Sequence, residues 1–175
     1  MSDAPANWKL SGLIWWPLGV ATLLLDQVTK ALVHGRLMLH EVIYVLPVLD
    51  ILHARNPGVA FSILANAGGW QRWLFSAFAG VVSVVLLVAL RRLVALGQAL
   101  QCAGLMLIVS GALGNAIDRL RFGYVVDFVA AHWGDDYFPA FNVADSCITV
   151  GAGLIILDTL LQWLRERRLA RGQQR

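Results

Sequence analysis

Between Gly114 and Asp145 the chain gathers acids that need a chemical reason, because most of what surrounds them is apolar. Asp118, Asp127 and Asp145 recur there, with Asn115, Arg119 and Asn142 nearby as side chains able to hydrogen-bond a carboxylate. Asp127 lies in GYVVDF with apolar residues on both sides, and Asp145 stands three residues after Asn142 at the mouth of a long apolar run. Two carboxyls brought together in such surroundings cannot both ionise cheaply, and they tend to share one proton near neutral pH. One neutral and one charged acid is the state needed for acid and base work together, so Asp127 and Asp145 read as the working pair. By contrast, Asp135 and Asp136 read as solvated, and Asp158 as an interface residue beside Arg165 or water.

The elements that must hold this pair are set by composition. Of 175 residues 58% are hydrophobic and only 14% charged, where a soluble domain carries about a quarter. The chain therefore reads as one integral membrane domain, an α-helical membrane protein with four transmembrane helices and a small external β-containing module. The spans are expected at about 13–33, 73–90, 99–117 and 141–163, each long enough to cross at about 1.5 Å per residue. The first has the length and the internal charges of a retained anchor rather than a cleaved signal peptide. Lys9, Arg91, Arg92 and the tail arginines Arg165, Arg167, Arg168, Arg171 and Arg175 fall on one side, which the positive-inside bias makes cytoplasmic along with both termini. The same clustering beside apolar spans accounts for the net charge of +3 without nucleic acid as a partner.

Residues 35–69 change character: aliphatic, β-branched runs broken by Pro47 and ended by Arg55-Asn56-Pro57-Gly58 predict strands and a turn outside the hydrocarbon. The link 118–140 is expected as an external loop. Its aromatic segment 130–139 either covers the site as a hinged lid or anchors the loop at headgroup level, and both readings stay open. Within the first span Asp26 and Lys30 are four apart on one helical face and can pair; Lys30 can equally snorkel outward. Asn115 and Asp118 share a face at the outer end of the third span, where Arg119 is positioned to clamp a carboxylate. Glycines in the spans and Cys102 and Cys147 read as close packing. His34, His40, His53 and His132 have no metal-ligand spacing, and no nucleotide or cofactor fingerprint occurs, so neither metal nor cofactor is expected. Intramembrane acids also serve as proton relays, which makes a small proton-coupled transporter the competing class.

DQVTK at 26–30, NPGVAFS at 56–62, GNAIDR at 114–119, GYVVDF at 123–128 and FNVAD at 141–145 together resemble bacterial lipoprotein signal peptidase, or signal peptidase II. The resemblance implies a four-helix aspartic endopeptidase of the bacterial inner membrane with an external β-cradle and an active site near the outer, periplasmic face. It implies Asp127 and Asp145 as the catalytic dyad, with Asp26, Lys30, Asn56, Gly58, Asn115, Asp118, Arg119 and Asn142 shaping the site or contacting substrate. The implied substrate is a diacylglyceryl-modified prolipoprotein arriving through membrane lipid and cut before its lipidated cysteine. One departure from the family pattern is Ser110 ahead of Gly111, where the family often has Gly-Gly; Ser is small enough that little effect on helix contact is expected.

Overall fold

The computed structural model describes residues 11–58, 69–134 and 136–172. Four helices carry the chain: α1 (Trp16–Arg36), α2 (Gln71–Arg92), α3 (Ala99–Phe122) and α4 (Val143–Gly172). A single 3-10 turn, Gly12–Trp15, leads into α1, and Pro17 occupies the first turn, where a missing N–H costs nothing. At the far end of α3 the chain stops helically at Gly123, whose φ of +83° is the left-handed conformation that glycine adopts without strain. Basic residues close α1, α2 and α3 (His34 and Arg36; Arg91 and Arg92; Arg119 and Arg121), opposing the negative ends of the helix dipoles.

Among the described residues α2, α3 and α4 are long and apolar enough to cross a membrane. Their exposed faces are hydrocarbon: Phe78, Val81, Val84, Val85 and Val88 on α2, and Val150, Ile156 and Leu160 on α4. The interior is the reverse, with Asp26, Lys30, Asn115 and Asp118 buried between α1 and α3. In a lipid solvent apolar surface gains nothing by turning inward, whereas polar side chains gain by finding one another.

Helix α3 is the hub, and glycines let α4 lie directly against it. A Cβ on Gly104 would come 2.7 Å from the carbonyl of Gly151, and one on Gly111 would run into the carbonyl of Ala144. Ser110 does more than stay small, since its Oγ accepts a 2.8 Å hydrogen bond from the Thr22 hydroxyl of α1. At the opposite end of the bundle from the acids, Leu90, Cys102, Leu105 and Met106 form the apolar core with Leu13 and Trp15. Cys102 thus packs as expected, and Cys147 is likewise buried and unbridged.

A four-stranded antiparallel sheet lies against one end of the bundle, in the order β1 (Val42–Leu46), β2 (Leu49–Asn56), β3 (Val125–Trp133), β4 (Asp136–Tyr137). The strands expected within 35–69 are β1 and β2. The stretch 118–140 is more regular than the loop expected for it: α3 runs on to Phe122, and β3 pairs with β2 from Leu49↔Ala131 to Asn56↔Val125. That pairing joins segments some 75 residues apart, a partner that no local pattern announces. The sheet therefore links the turn carrying Asn56 and Gly58 to the strand carrying Asp127.

Candidate active site

The two acids come together through backbone pairing. Phe141 forms an antiparallel bridge with Val129, its carbonyl accepting from Val129 N–H at 2.8 Å and its own N–H donating to Val129 at 3.0 Å. This closes the arm between the acids and sets Asn142 beside β3. Asn142 then caps α4: its Oδ1 accepts the Asp145 N–H at 2.9 Å, and its own N–H points back at Asp145 Oδ2 at 3.3 Å. That reciprocal arrangement is a capping box in which the acid at the third helical position is the candidate catalytic one.

Because Asn142 Oδ1 is committed to an N–H donor, its amide nitrogen must face the other way, where it donates to Asp127 Oδ1 at 2.7 Å. Asn142 therefore touches both acids. The same logic orients Asn56. Its Oδ1 accepts the Gly58 N–H at 3.1 Å, leaving Nδ2 to donate to Asp127 Oδ2 at 3.1 Å from a diagonal position on β2. Both oxygens of Asp127 thus accept an amide hydrogen. Burial pushes its carboxyl up to about 7, helped by the negative charge of Asp145, while the Asn56 and Asn142 amides and the Lys30 charge pull the other way.

Asp145 is oriented from α1 through α3. The ammonium of Lys30 has three donors and three acceptors: Asp26 Oδ2 at 2.9 Å, Asn115 Oδ1 at 2.9 Å and Asp118 Oδ2 at 3.2 Å. Lys30 can only donate, so Asn115 must turn its oxygen toward it and its Nδ2 toward Asp145 Oδ1, at 2.8 Å. Lys30 pairs inward and does not snorkel. Asp26 spends its other oxygen on the Ala144 N–H at 2.8 Å, at the positive end of α4, and Asp118 accepts the Val126 N–H at 3.1 Å. These acids hold α4 and β3 in place around the pair.

Gly114 leaves room for this arrangement, since a Cβ there would lie 2.6 Å from Asp26 Oδ2. Gln27 belongs to the same network, its amide reaching Asp26 Oδ2, the Gly114 carbonyl and Asp118 Oδ1 at 3.1–3.2 Å. The sequence reading passed over it; the signal was a second polar residue beside Asp26 inside an apolar span.

Arg119 corrects an expectation. Among the described residues no carboxylate is within ion-pair distance of it; Nη2 donates to the Gly58 carbonyl at 3.0 Å and Nη1 to that of Asn115 at 3.4 Å, with Nε unpartnered. It staples the turn after β2 to α3 instead of clamping an acid, because Asp118 is already taken by Lys30, Gln27 and Val126. Asp158, expected beside Arg165 or water, accepts from Gln162 at 2.7 Å. Asp136 is exposed, as expected of a solvated acid; Asp135, Lys9, Arg175 and the 59–62 part of the second motif lie outside the described residues.

The sequence profile of the family described as signal peptidase (SPase) II matches residues 18–161. A lipoprotein signal peptidase of Shewanella pealeana is 51% identical over 157 residues, covering 90% of this chain and 92% of that protein. One of Shewanella baltica is 45% identical over 168 residues, covering 96% and 98%. Two solved structures share the fold: a bacterial membrane enzyme determined in meso at 2.3 Å, with TM-score 0.72 and 31% identity over 84% of this chain and 87% of that one, and another at 1.9 Å, with TM-score 0.72 and 32% identity over 84% and 92%.

Proposed function

The chain belongs to the signal peptidase II family, and from that premise we propose that it is a bacterial membrane aspartic endopeptidase that removes the signal peptide from prolipoproteins. The observation that supports the reading is that Asn142 reaches both acids at the junction of sheet and bundle, its side-chain amide donating to the Asp127 carboxyl and its backbone N–H to the Asp145 carboxyl. In the proposed reaction the charged member takes a proton from water, and the neutral member donates one to the scissile carbonyl. The water oxygen bonds to the carbonyl carbon. The tetrahedral intermediate then breaks its C–N bond as the proton taken from water passes to the leaving nitrogen and a hydroxyl proton returns to the other acid, giving a carboxylic acid and an amine. Burial raises the proton affinity of Asp127 to about 7, which suits it to be the neutral member at physiological pH. Asn56, Asn115 and Asn142 orient the carboxyls, while Asp26, Lys30 and Asp118 brace those amides and the start of α4; Arg119 and Gly58 hold the turn beside Asp127. No metal or cofactor enters this chemistry.

The finer topology is part of the proposal. Helix α1 joins α2, α3 and α4 as a fourth span, its charged residues turned into the bundle, with α1–α4 and the sheet forming one domain. In this reading both termini lie in the cytoplasm and the acids at the periplasmic face of the inner membrane, which is supported by Arg91, Arg92 and the arginines of α4 lying at the opposite end from the acids. The substrate is a prolipoprotein carrying diacylglycerol on its cysteine, entering sideways from lipid. No observation favours the transporter reading.

The test uses the purified protein in lipid vesicles with a prolipoprotein offered in diacylglyceryl-modified and unmodified forms. Mass spectrometry should find the modified form shortened to begin at its lipidated cysteine and the unmodified form intact. Equal cleavage of both would remove the lipid from the recognition, and cleavage of neither would overturn the assignment.

A further inference from the structure

Outside the site just described, a further acid is buried, and among the described residues its ion-pair partner is a histidine. Asp50 of β2 is 0% exposed, and His132 of β3 and Tyr137 of β4 converge on its Oδ2. The tyrosine hydroxyl donates to that oxygen at 3.2 Å, and the two rings stack with centroids 4.7 Å apart. His132 Nε2 approaches the same oxygen at 3.4 Å, a contact looser than a formed hydrogen bond; among the described residues Nε2 and Asp50 Oδ1 are both buried without a hydrogen-bond partner.

The tautomer follows from the other side of the ring. His132 Nδ1 lies 3.2 Å from the carbonyl of Gly134, which can only accept, so Nδ1 carries a hydrogen. In a neutral ring Nε2 would then be a bare lone pair aimed at a carboxylate. Two acceptors so placed repel, and an unpaired buried carboxylate is costly. A proton held between Nε2 and Asp50 turns the repulsion into an ion pair. Among the described residues the other titratable groups facing the ring are Tyr137 from β4 and Tyr44 from β1, which lines the same open cleft of about 370 Å³; Asp136, opposite Trp133, is exposed.

Position gives the pair its consequence. His132 and Tyr137 are register partners at the base of the hairpin, and Phe138 N–H closes onto Ala131 just behind them at 2.8 Å. The outgoing leg of that hairpin is the strand bearing Asp127; the returning leg leads through Phe141 to Asn142 and Asp145. We infer that Asp50 and His132 share a proton and, with Tyr137, act as positioning residues that hold the β3–β4 arm against the site, so that loss of the proton loosens the arm and weakens substrate handling. The inference rests on Asp127 and Asp145 being the catalytic acids.

The experiment separates the two claims by measuring mobility without turnover. A spin label is placed by Trp133→Cys, at an exposed position, in the Asp127→Asn protein in vesicles; the native Cys102 and Cys147 are buried from the reagent. Asp127 cannot then titrate, and label mobility should rise from acidic to alkaline buffer as the shared proton is lost. Adding His132→Gln, whose amide donates to Asp50 at any pH, should flatten that response. In the otherwise unaltered enzyme, His132→Phe should raise KM about fivefold with kcat within about twofold, and His132→Gln should restore it, the factor one hydrogen bond carries. Label mobility that ignores pH, or that responds equally in the Gln variant, overturns the clasp. Full cleavage by Asp127→Asn would overturn the dyad and leave the mobility result standing on its own.

Discussion

The network around Lys30 and the sheet around Asp50 bury polar groups in opposite ways. Around Lys30 the donors and acceptors close on one another: three N–H groups meet three acceptors, and each carboxylate oxygen of Asp26 and Asp118 has a donor. In the sheet, Asp50 Oδ1, His53 Nε2 and His132 Nε2 are buried without a hydrogen-bond partner among the described residues. A satisfied network specifies one geometry and resists change, whereas groups left short of a partner are where protons and movement enter. The difference suggests a division of labour in which the bundle fixes Asp145 and the sheet presents Asp127 and the arm between them. The α3–α4 glycines serve the first task by bringing two backbones into contact.

The comparison breaks most severely at its tightest point. Lys30→Met leaves Asp26 and Asp118 buried against each other without their cation, which should cost about 3–5 kcal/mol. Thermal unfolding in detergent should show a large fall in Tm, and a Tm unchanged from wild type would mean the network is not the brace described. Next comes Gly111→Ala, whose methyl group meets the Ala144 carbonyl and must push α4 away. Overpacking of this kind costs about 1–3 kcal/mol. It should reduce both Tm and kcat, while Gly153→Ala, with open space around it, should do neither.

Protonation sharpens the contrast further. Because Asp127 must be neutral to donate and its carboxyl is held up to about 7, kcat should fall as pH rises through that value. Asn56 donates to the charged form, so Asn56→Ala should move this alkaline limb upward, by about one unit. A limb moving downward would contradict the assignment. The stability consequence has a definite sign: folded Asp127 keeps its proton to about pH 7 where the unfolded chain has lost it, so stability falls as pH rises across that window. Asp127→Asn should accordingly raise Tm at pH 8 and change it little at low pH. The smallest effects belong to Asp136→Asn and Asp158→Asn, both away from the network, where cleavage rates should stay within about twofold, as surface changes usually do.

Much of this was readable in the chain because membranes make polar residues conspicuous. Asp26, Lys30, Asn115, Asp118, Asn142 and Asp145 stand out in apolar runs, and helical spacing alone predicts that Asp26 meets Lys30. The strands at 42–56 carried a local signal too. What stayed hidden depends on contacts between distant segments: β3 behind the acid it carries, the Phe141 bridge, and the turn of Arg119 toward carbonyls. Gln27 was missed because a neutral amide draws less notice than a charge, although it makes three contacts in the same network. The double use of Asn142, as helix cap and as link between two acids, is invisible in FNVAD without knowing where Asp127 lies.

The claim on which the rest depends is that Asp127 and Asp145 act as one unit on the same substrate bond. It is tested most directly by following a diacylglyceryl-modified prolipoprotein by mass spectrometry with the wild-type protein, Asp127→Asn and Asp145→Asn, each reconstituted in vesicles and matched for folded amount. The account predicts that the wild type yields the shortened lipoprotein and that each single variant loses at least about 10²–10⁴-fold in rate, the scale of positioned acid–base catalysis. Shortened product formed at the wild-type rate by either variant would contradict it.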